Sequence, residues 1–520
     1  MSMGRARSVV LIGMEGHLIE VEADIGQSLP AFVLLGLPDA ALRESQDRIR
    51  SAAKNTGIEL PRRRLTINLF PASLPKSGSS LDLSILVAAW AAEAHVAGTA
   101  KVVFLAELGL DGRLRPVKGV LPAVRAAAQA GAETVVVAAE NAQEAALVRG
   151  VEVLAAEHAL QVASYFRAPG AVEVPADPAQ EIQRVTPGSP HAEPSAGGEA
   201  AKDLADVRGQ AEARFALELA AAGGHHMLLM GAPGAGKTML AERLPSILPP
   251  LNEEESMAVT AISSISSGAA SVTRLQRRRP FEAPHHSATA PSLLGGGSRI
   301  PGPGAVTRAH CGVLFLDEAP EFPRSVLDSL RQPLETGRIT LHRSAGQVTY
   351  PARFQLVMAS NPCLCGLNVG SGTQCSCTVA QRRNYLYRLS GPLLDRIDLQ
   401  VQVERPHSAA LALQQPGESS AEVARRVAQA RAVQTERLAA FGLSLNAEVP
   451  MNLLSEQLRL PSKEVRALDA ALDRAQLSLR GYVRVLRLAW TISDLFLKDH
   501  PEADEIDAAM VLRQSAGVRT

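Results

Sequence analysis

The spacing of apolar and polar positions changes character three times along the chain, and each change marks a boundary. In residues 1–167, period-two runs alternate with stretches of helical period. SVVLIGM and LIEVEADI read as two strands of a hairpin turning around Glu15-Gly16. DAALRESQDRIRSAAKNTG is helical in pattern and closes at Gly57. RRLTINLF predicts a strand, SSLDLSILVAAWAAEA a helix, and FLAELGLDGRLRPV a hairpin with Asp111-Gly112 at its turn. GVLPAVRAAAQAG (helix), ETVVVAA (strand) and NAQEAALVRG (helix) complete one α+β domain. Between residues 168 and 201 both periods vanish into a stretch rich in Pro, Gly, Ala and Ser. It has too little apolar surface to pack and predicts a flexible linker. Over 202–404 short apolar runs (HMLLM, GVLFL, FQLVM) each end in polar or small residues, the pattern of strands in a parallel sheet. From residue 405 to 520, SSAEVARRVAQARAVQTERLAAFG and the segments after it are helical in period. The expectation is an α/β multidomain chain.

Composition narrows the field only a little. A chain of 520 residues exceeds one hydrophobic core. Lys plus Arg and Asp plus Glu both number 53, so a nucleic-acid surface would have to be a local patch. Aromatic residues are 3%, too few for binding built on many stacked bases. No apolar run approaches the roughly 20 residues of a membrane span. The N-terminal MSMGRARSVVLIGMEG is too short in its apolar part for a signal peptide and reads as a first strand. The expectation is a cytoplasmic enzyme without disulfides.

The chemistry concentrates in 202–404. Gly231, Ala232, Pro233, Gly234, Ala235, Gly236, Lys237 and Thr238 spell G-x-x-x-x-G-K-[ST] between a strand and a helix. Glycines there let backbone N–H groups reach phosphates, Lys237 reaches the β/γ-phosphates of ATP, and Thr238 ligates Mg²⁺. GVLFLDE ends a strand in Asp317 and Glu318, suited to orient Mg²⁺ and to polarise the attacking water respectively. Asn361 ends the next strand, where it can bond the water or the γ-phosphate, or cap a turn before Pro362. In LSGPLLDRIDL, Arg396 stands between two acidic residues, suited to a neighbour's γ-phosphate or to a surface ion-pair group.

Together GAPGAGKT, GVLFLDEAPEFPRSVLDSLRQPLETG, ASNPCLCG and LSGPLLDRIDL resemble the AAA+ ATPases of the magnesium-chelatase-like ComM/YifB family, over nearly the whole chain. That resemblance implies a P-loop AAA+ core with a parallel sheet and a C-terminal helical lid. It makes Lys237 and Thr238 the phosphate-loop residues, Asp317 and Glu318 Walker B, Asn361 sensor 1 and Arg396 an arginine finger. LSLRGYVRVLRLAWTISDL is similar to the sensor 2 helix, with Arg480 the matching residue ahead of Arg484 and Arg487. Gln210 resembles a residue of the segment flanking the adenine. The implied activity is ATP-driven branch migration of DNA by a homo-hexamer, as in recombination during natural transformation, with single-stranded or branched DNA gripped independently of sequence.

Two insertions bear on that partner. RRRPFEAPHHSATAPSLLGGGSRIPGPGAVTRAH is poor core material, and GRITLHRSAGQVTYPARF predicts a hairpin with Arg338, His342 and Arg343 near its tip. Such loops either contact phosphates in a central pore or are simply solvated. His285 and His286, with no third ligand spaced nearby, suit a pore loop or turn better than a metal. Cys363, Cys365, Cys375 and Cys377 form C-x-C-x₉-C-x-C, able to hold a structural Zn²⁺; free thiols or a labile redox pair are the alternatives. Cys311 reads as a small buried hydrophobe. In the first domain, LPKSGSSLDLSILVAA and AELGLDGRLRPVKGVLPAVRAA resemble the Lon proteolytic domain (ribosomal S5 domain 2 type), with Ser80 near the nucleophile position. Gly119-Val120-Leu121 stands where Lon carries its Lys, and Lys118 is displaced, so peptidase activity is not expected. A metallochelatase motor subunit, a protein remodeller or protease, and a nucleotide-switched scaffold are the rival readings. The Lon-like residues 1–167 count against the first of these.

Overall fold

The computed structural model describes residues 3–36, 40–74, 76, 78–171, 181–186, 202–266, 272–297, 301–343, 346–368, 373–405 and 417–514. The first domain is built on a mixed eight-stranded sheet. Its order is Gln183–Val185, Glu152–Ala156, Thr134–Ala138, Val103–Leu105, Gly4–Ile12, Glu15–Gly26, Arg64–Phe70 and Ala31–Leu35. Period two places Leu65, Ile67 and Leu69 inward in one strand and Ile19, Val21 and Ala23 inward in its neighbour. The helix Asp82–Ala92 is buried on nearly all sides against them, which its almost unbroken apolar sequence permits. Its one buried carboxylate, Asp82, accepts from Arg48 Nε at 2.8 Å.

The structure departs from several expectations. Ile12 pairs with Glu15, so the first hairpin turns at Gly13-Met14, two residues before the expected Glu15-Gly16. NAQEAALVRG is helical only over Ala142–Ala145, after a 3₁₀ turn at Ala139–Asn141. The stretch expected to be a flexible linker contributes the edge strand Gln183–Val185, antiparallel to Glu152–Ala156; its residues 172–180 and 187–201 lie outside the described residues. The strands Ala31–Leu35 and Glu152–Ala156 were not expected from the sequence.

The second domain carries a parallel five-stranded sheet in the order Phe281–Glu282, Val313–Leu316, Gln355–Ser360, Met227–Met230 and Leu399–Gln402. The three central strands are fully buried and therefore read as unbroken apolar runs. The C-terminal segment is helical as expected, through Ser420–Leu438, Ser462–Asp473, Leu479–Leu495 and Ala503–Gln514. It is not a separate core. Val423, Val427, Val485 and Leu488 share one apolar cluster with Leu217 and Leu244 of the ATPase fold.

Candidate nucleotide site

Parallel strands bring their C-terminal ends to one edge, and that edge collects the predicted residues. Gly231 leaves the strand Met227–Met230 so close to Val403 that a Cβ would lie 2.3 Å from its carbonyl oxygen. Gly236 adopts φ +95° and opens the helix Lys237–Ile247. Lys237 Nζ donates to the carbonyls of Gly231 (2.7 Å) and Ala232 (3.1 Å) and to Asn361 Oδ1 (3.1 Å). Burial lowers its pKa, against the opposing pull of Asp317 and Glu318. Thr238 Oγ1 donates to Asp317 Oδ2 at 2.8 Å, and the N–H of Glu318 donates to Asp317 Oδ1 at 2.9 Å. Phosphate-loop lysine, Walker B pair and Asn361 thus meet across three neighbouring strands. Two oxygen donors converge at Thr238 and Asp317, as a hard cation such as Mg²⁺ requires.

Residues around this cradle extend the sequence reading. Gln210, at φ +54°, donates through Nε2 to Ala235 O (2.6 Å) and Glu404 O (3.2 Å), tying the phosphate-loop segment to the end of the sheet's last strand. Arg405, just beyond the expected domain boundary, was missed; its Nε and a terminal nitrogen donate to Pro233 O at 3.1 and 2.5 Å. The sequence places His286 in a pore loop or turn; it stands in a turn, and its Nδ1 lies 3.5 Å from Glu318 Oε2.

Arg396 bonds Pro392 O at 2.5 Å and pairs with Glu335, away from its own phosphate loop. Its neighbour Asp395 accepts from Arg480 at 3.1 Å, while the Arg396 side chain is itself only 16% exposed. Arg480 is 69% exposed, whereas Arg484 is 13% exposed and paired with the buried Asp398. Burial opposes the charge on Asp398, but Arg484 and His225 outweigh it and hold the carboxyl well below its usual range. Arg487 donates to Val449 O at 2.7 Å from a half-buried position. Of the three arginines, Arg480 alone is extended into solvent.

The cysteine loop comes directly after Asn361 and abuts the phosphate loop: a Cβ at Gly366 would lie 2.5 Å from Pro233 Cδ. Cys363, Cys365 and Cys375 have Sγ–Sγ distances of 3.4, 3.6 and 3.7 Å, and all four Sγ atoms, Cys377 included, lie within 4.8 Å of one another. Four thiolates at a Zn–S length of about 2.3 Å would stand roughly 3.8 Å apart, so the set fits tetrahedral zinc. The Leu367 N–H, with Cys363, lowers the Cys365 thiol to about 6. Cys311, expected to be a small buried hydrophobe, is half-buried, and burial pushes its thiol up to about 12.

The basic hairpin pairs Arg338–Arg343 with Gly346–Pro351. Arg338 opposes Pro351 at its base, not near its tip as expected; His342, opposite Gln347, is near the tip, and the turn residues 344–345 lie outside the described set. In the first domain, Ser79, Ser80, Glu107 and Lys118 line one cleft of about 370 Å³. Lys118, displaced in sequence, thus still borders the serines. Ser79 Oγ bonds Glu107, and the buried Lys76 donates to Pro71 O.

Comparison with known proteins respects this division. Residues 203–411 match the model for magnesium chelatase, subunit ChlI; 21–141 match that for subunit ChlI of Mg-chelatase; and 417–513 match its C-terminal model. The N-terminal match carries a chelatase description as well, so the first domain does not count against a chelatase motor, contrary to the expectation from sequence. Length of similarity separates the relatives better. The chain is 40% identical to Escherichia coli YifB, an uncharacterized protein, covering 96% of this chain and 94% of that one. It is 38% identical to the competence protein ComM of Haemophilus influenzae, covering 95% and 94%. The magnesium-chelatase 67 kDa subunit of Heliobacterium mobile is 30% identical over 31% of this chain and 28% of its own. Among the described residues no helix is long and apolar enough to cross a membrane. Family and site together support an ATPase motor: the chain belongs to the magnesium-chelatase-like ComM/YifB family of AAA+ proteins.

Proposed function

We propose that this chain is the subunit of a hexameric ring that hydrolyses ATP to drive DNA through branch migration. In that cycle Thr238 and Asp317 would hold Mg²⁺, which would supply charge neutralisation at the phosphates, and Lys237 leaves its carbonyl partners for the β/γ-phosphates. Glu318 polarises the attacking water, Asn361 orients it, and Arg396 with Arg480 completes the neighbouring subunit's site. The observation that carries the DNA reading is the position of the basic hairpin. It is braced to the insertion by Tyr350 Oη donating to Pro301 O at 2.6 Å. That insertion begins at the strand Phe281–Glu282, paired with the Walker B strand, so a grip on phosphates has a short mechanical path to hydrolysis. We read the first domain as a Lon-type fold serving as a collar, and the four cysteines as a zinc staple that presses the Asn361 loop onto Pro233.

ATP turnover of the full chain, measured alone and with a single-stranded oligonucleotide, a forked duplex and a four-way junction, tests this. Expected is severalfold stimulation by branched DNA that fades as salt rises, with movement of the junction in the presence of ATP. Turnover indifferent to every DNA would favour the chelatase-type or protein-remodelling readings. For the staple, metal analysis of protein prepared without chelators should find about one zinc per chain. It should be lost when Cys375 and Cys377 are both replaced by Ser, and metal-free wild type of unchanged stability would refute the site.

A further inference from the structure

The DNA reading above rests on the hairpin, but a second run of positive charge lies in the irregular segment 272–280, between the helix Glu253–Ser266 and the edge strand Phe281–Glu282. This segment is held along its length. The Gln276 N–H donates to Thr260 Oγ1 at 3.0 Å, its side-chain amide donates to Ser263 Oγ at 2.8 Å, and its carbonyl accepts from Ser256 Oγ at 2.5 Å. Arg277 O accepts from the Leu251 N–H at 2.9 Å. Pro280 O accepts from the N–H of Val313, the first residue of the Walker B strand, at 2.8 Å. Gly312 passes so close that a Cβ there would lie 2.1 Å from the same oxygen. The segment is pinned to the helix on one side and to the ATPase sheet at its end.

Four arginines leave this backbone, and they divide. Arg279 turns inward: 11% exposed, it donates to Pro249 O and Cys311 O, each at 2.7 Å, and pairs with Glu255 at 3.2 Å. Arg274, Arg277 and Arg278 are exposed, and among the described residues none has a hydrogen-bond or ion-pair partner. The carboxylates nearby are taken. Glu253 pairs with Arg149 at 3.4 Å, Glu255 with Arg279, and Glu282 with Arg308 at 3.0 Å; only the exposed Glu254 is left over. Three like charges fixed within five residues make a local positive potential that the neutral chain as a whole does not have. Guanidinium groups match phosphate oxygens through paired N–H donors. From Arg274 to Arg278 the backbone spans at most about 14 Å, roughly four phosphate steps along one strand of DNA.

We propose that Arg274, Arg277 and Arg278 form a second DNA contact, a phosphate-binding ledge that grips without regard to sequence. The inference rests on the DNA reading above. The helix that carries the ledge also packs on the first domain, where Ala261 joins Val9, Val120 and Val124 in one apolar cluster and Ser264 O accepts from the Gly119 N–H at 3.2 Å. The ledge thus stands where the first domain meets the ATPase fold. Bonded to the start of the Walker B strand, it holds a strand through residues other than the hairpin's, so DNA let go by the hairpin is still held.

The test is binding of a fluorescein-labelled single-stranded oligonucleotide to the full chain, followed by anisotropy across a salt series. Wild type is compared with Arg274→Gln, Arg277→Gln and Arg278→Gln combined, and with the three Arg→Lys changes combined. Three lost phosphate contacts should lower the slope of log affinity against log salt by about 2, and affinity near 0.1 M salt on the order of 10²-fold. A second oligonucleotide of different sequence should lose as much. The Lys variant keeps the charge and should keep most of the slope. The urea midpoint should stay at the wild-type value, since exposed unpaired side chains add little to stability. A Gln variant with wild-type affinity and slope, where wild type binds DNA, overturns the ledge and leaves the DNA reading intact. Equal losses in the Gln and Lys variants overturn it too, because charge is then not the cause. Wild type that binds neither oligonucleotide at low salt overturns the DNA reading itself, and the ledge with it.

Discussion

Two clefts in this molecule are built from similar parts and end differently. Each sets a loop rich in small residues at the start of a helix, Gly231–Thr238 in one and Gly78–Ser80 in the other, with a lysine and a carboxylate nearby. In the ATPase cleft the reactive groups are engaged with one another across strand ends: Lys237 with Asn361, Thr238 with Asp317. In the N-terminal cleft the partners are diverted. Ser79 is tied to Glu107, Lys76 is turned to the carbonyl of Pro71, and Lys118 lines the rim. A nucleophile needs a base positioned on it, and no Ser–Lys bond is present among the described contacts. Similar residues in a cleft are not a site until the fold directs them at a common point.

The sharpest way to break that contrast is to disable both clefts separately. Lys237→Ala and Glu318→Gln should each abolish turnover, for Glu318→Gln on the order of 10⁴-fold if it is the general base. Glu318→Gln should still bind ATP, because Glu318 takes no part in the phosphate cradle. Ser79→Ala and Ser80→Ala, assayed for ATP hydrolysis and for cleavage of an unfolded protein, should leave the first unchanged, and wild type should show none of the second. Proteolysis by wild type that vanishes in either serine variant would restore the N-terminal cleft as an active site.

Legibility in the sequence divides along the same line, between local and long-range cause. The phosphate loop, Walker B and Asn361 were legible because each sits at the end of an apolar run, and parallel strands deliver such ends to one edge. Leu65, Ile67 and Leu69 were legible because one face of their strand is buried. Gly13-Met14 was missed as the turn because the apolar run continues up to it, so only the pairing of Ile12 with Glu15 locates it. The strand Gln183–Val185 has no inward-facing run, and it exists because Glu152–Ala156 offers an open edge. Arg405 and His286 carry no motif at all. Their contacts arise where a loop from one element passes over another, 172 residues away for Arg405 and Pro233. The first domain, expected to set this family apart from the chelatases, does not do so, because residues 21–141 match a chelatase model too.

A smaller effect distinguishes groups that act on a neighbour from groups that hold this chain together, and the arginines supply it. Arg480 pairs with Asp395 from an exposed position and Arg396, only 16% exposed, pairs with Glu335, whereas Arg484 neutralises the buried Asp398 beside His225. If Arg396 acts on a neighbouring subunit, Arg396→Ala should still bind ATP at its own intact phosphate loop and lose turnover on the order of 10³-fold. Rings assembled with ATP from mixed Arg396→Ala and Lys237→Ala monomers should regain activity, since an intact Lys237 can meet an intact Arg396 only there. Arg480→Ala, losing one exposed cation, should cost roughly 10-fold in turnover with little change in denaturant midpoint. Arg484→Ala should do the reverse at the level of folding. It strands a carboxylate in the interior, which costs roughly 3–5 kcal/mol, and the loss should show in urea unfolding before any assay of hydrolysis. If Arg480→Ala unfolds as readily as Arg484→Ala, and mixed rings form and never regain turnover, the pairs Arg480–Asp395 and Arg396–Glu335 are structural ion pairs. The two arginines would then belong with Arg484, and the ATPase cleft would have to be complete within one chain.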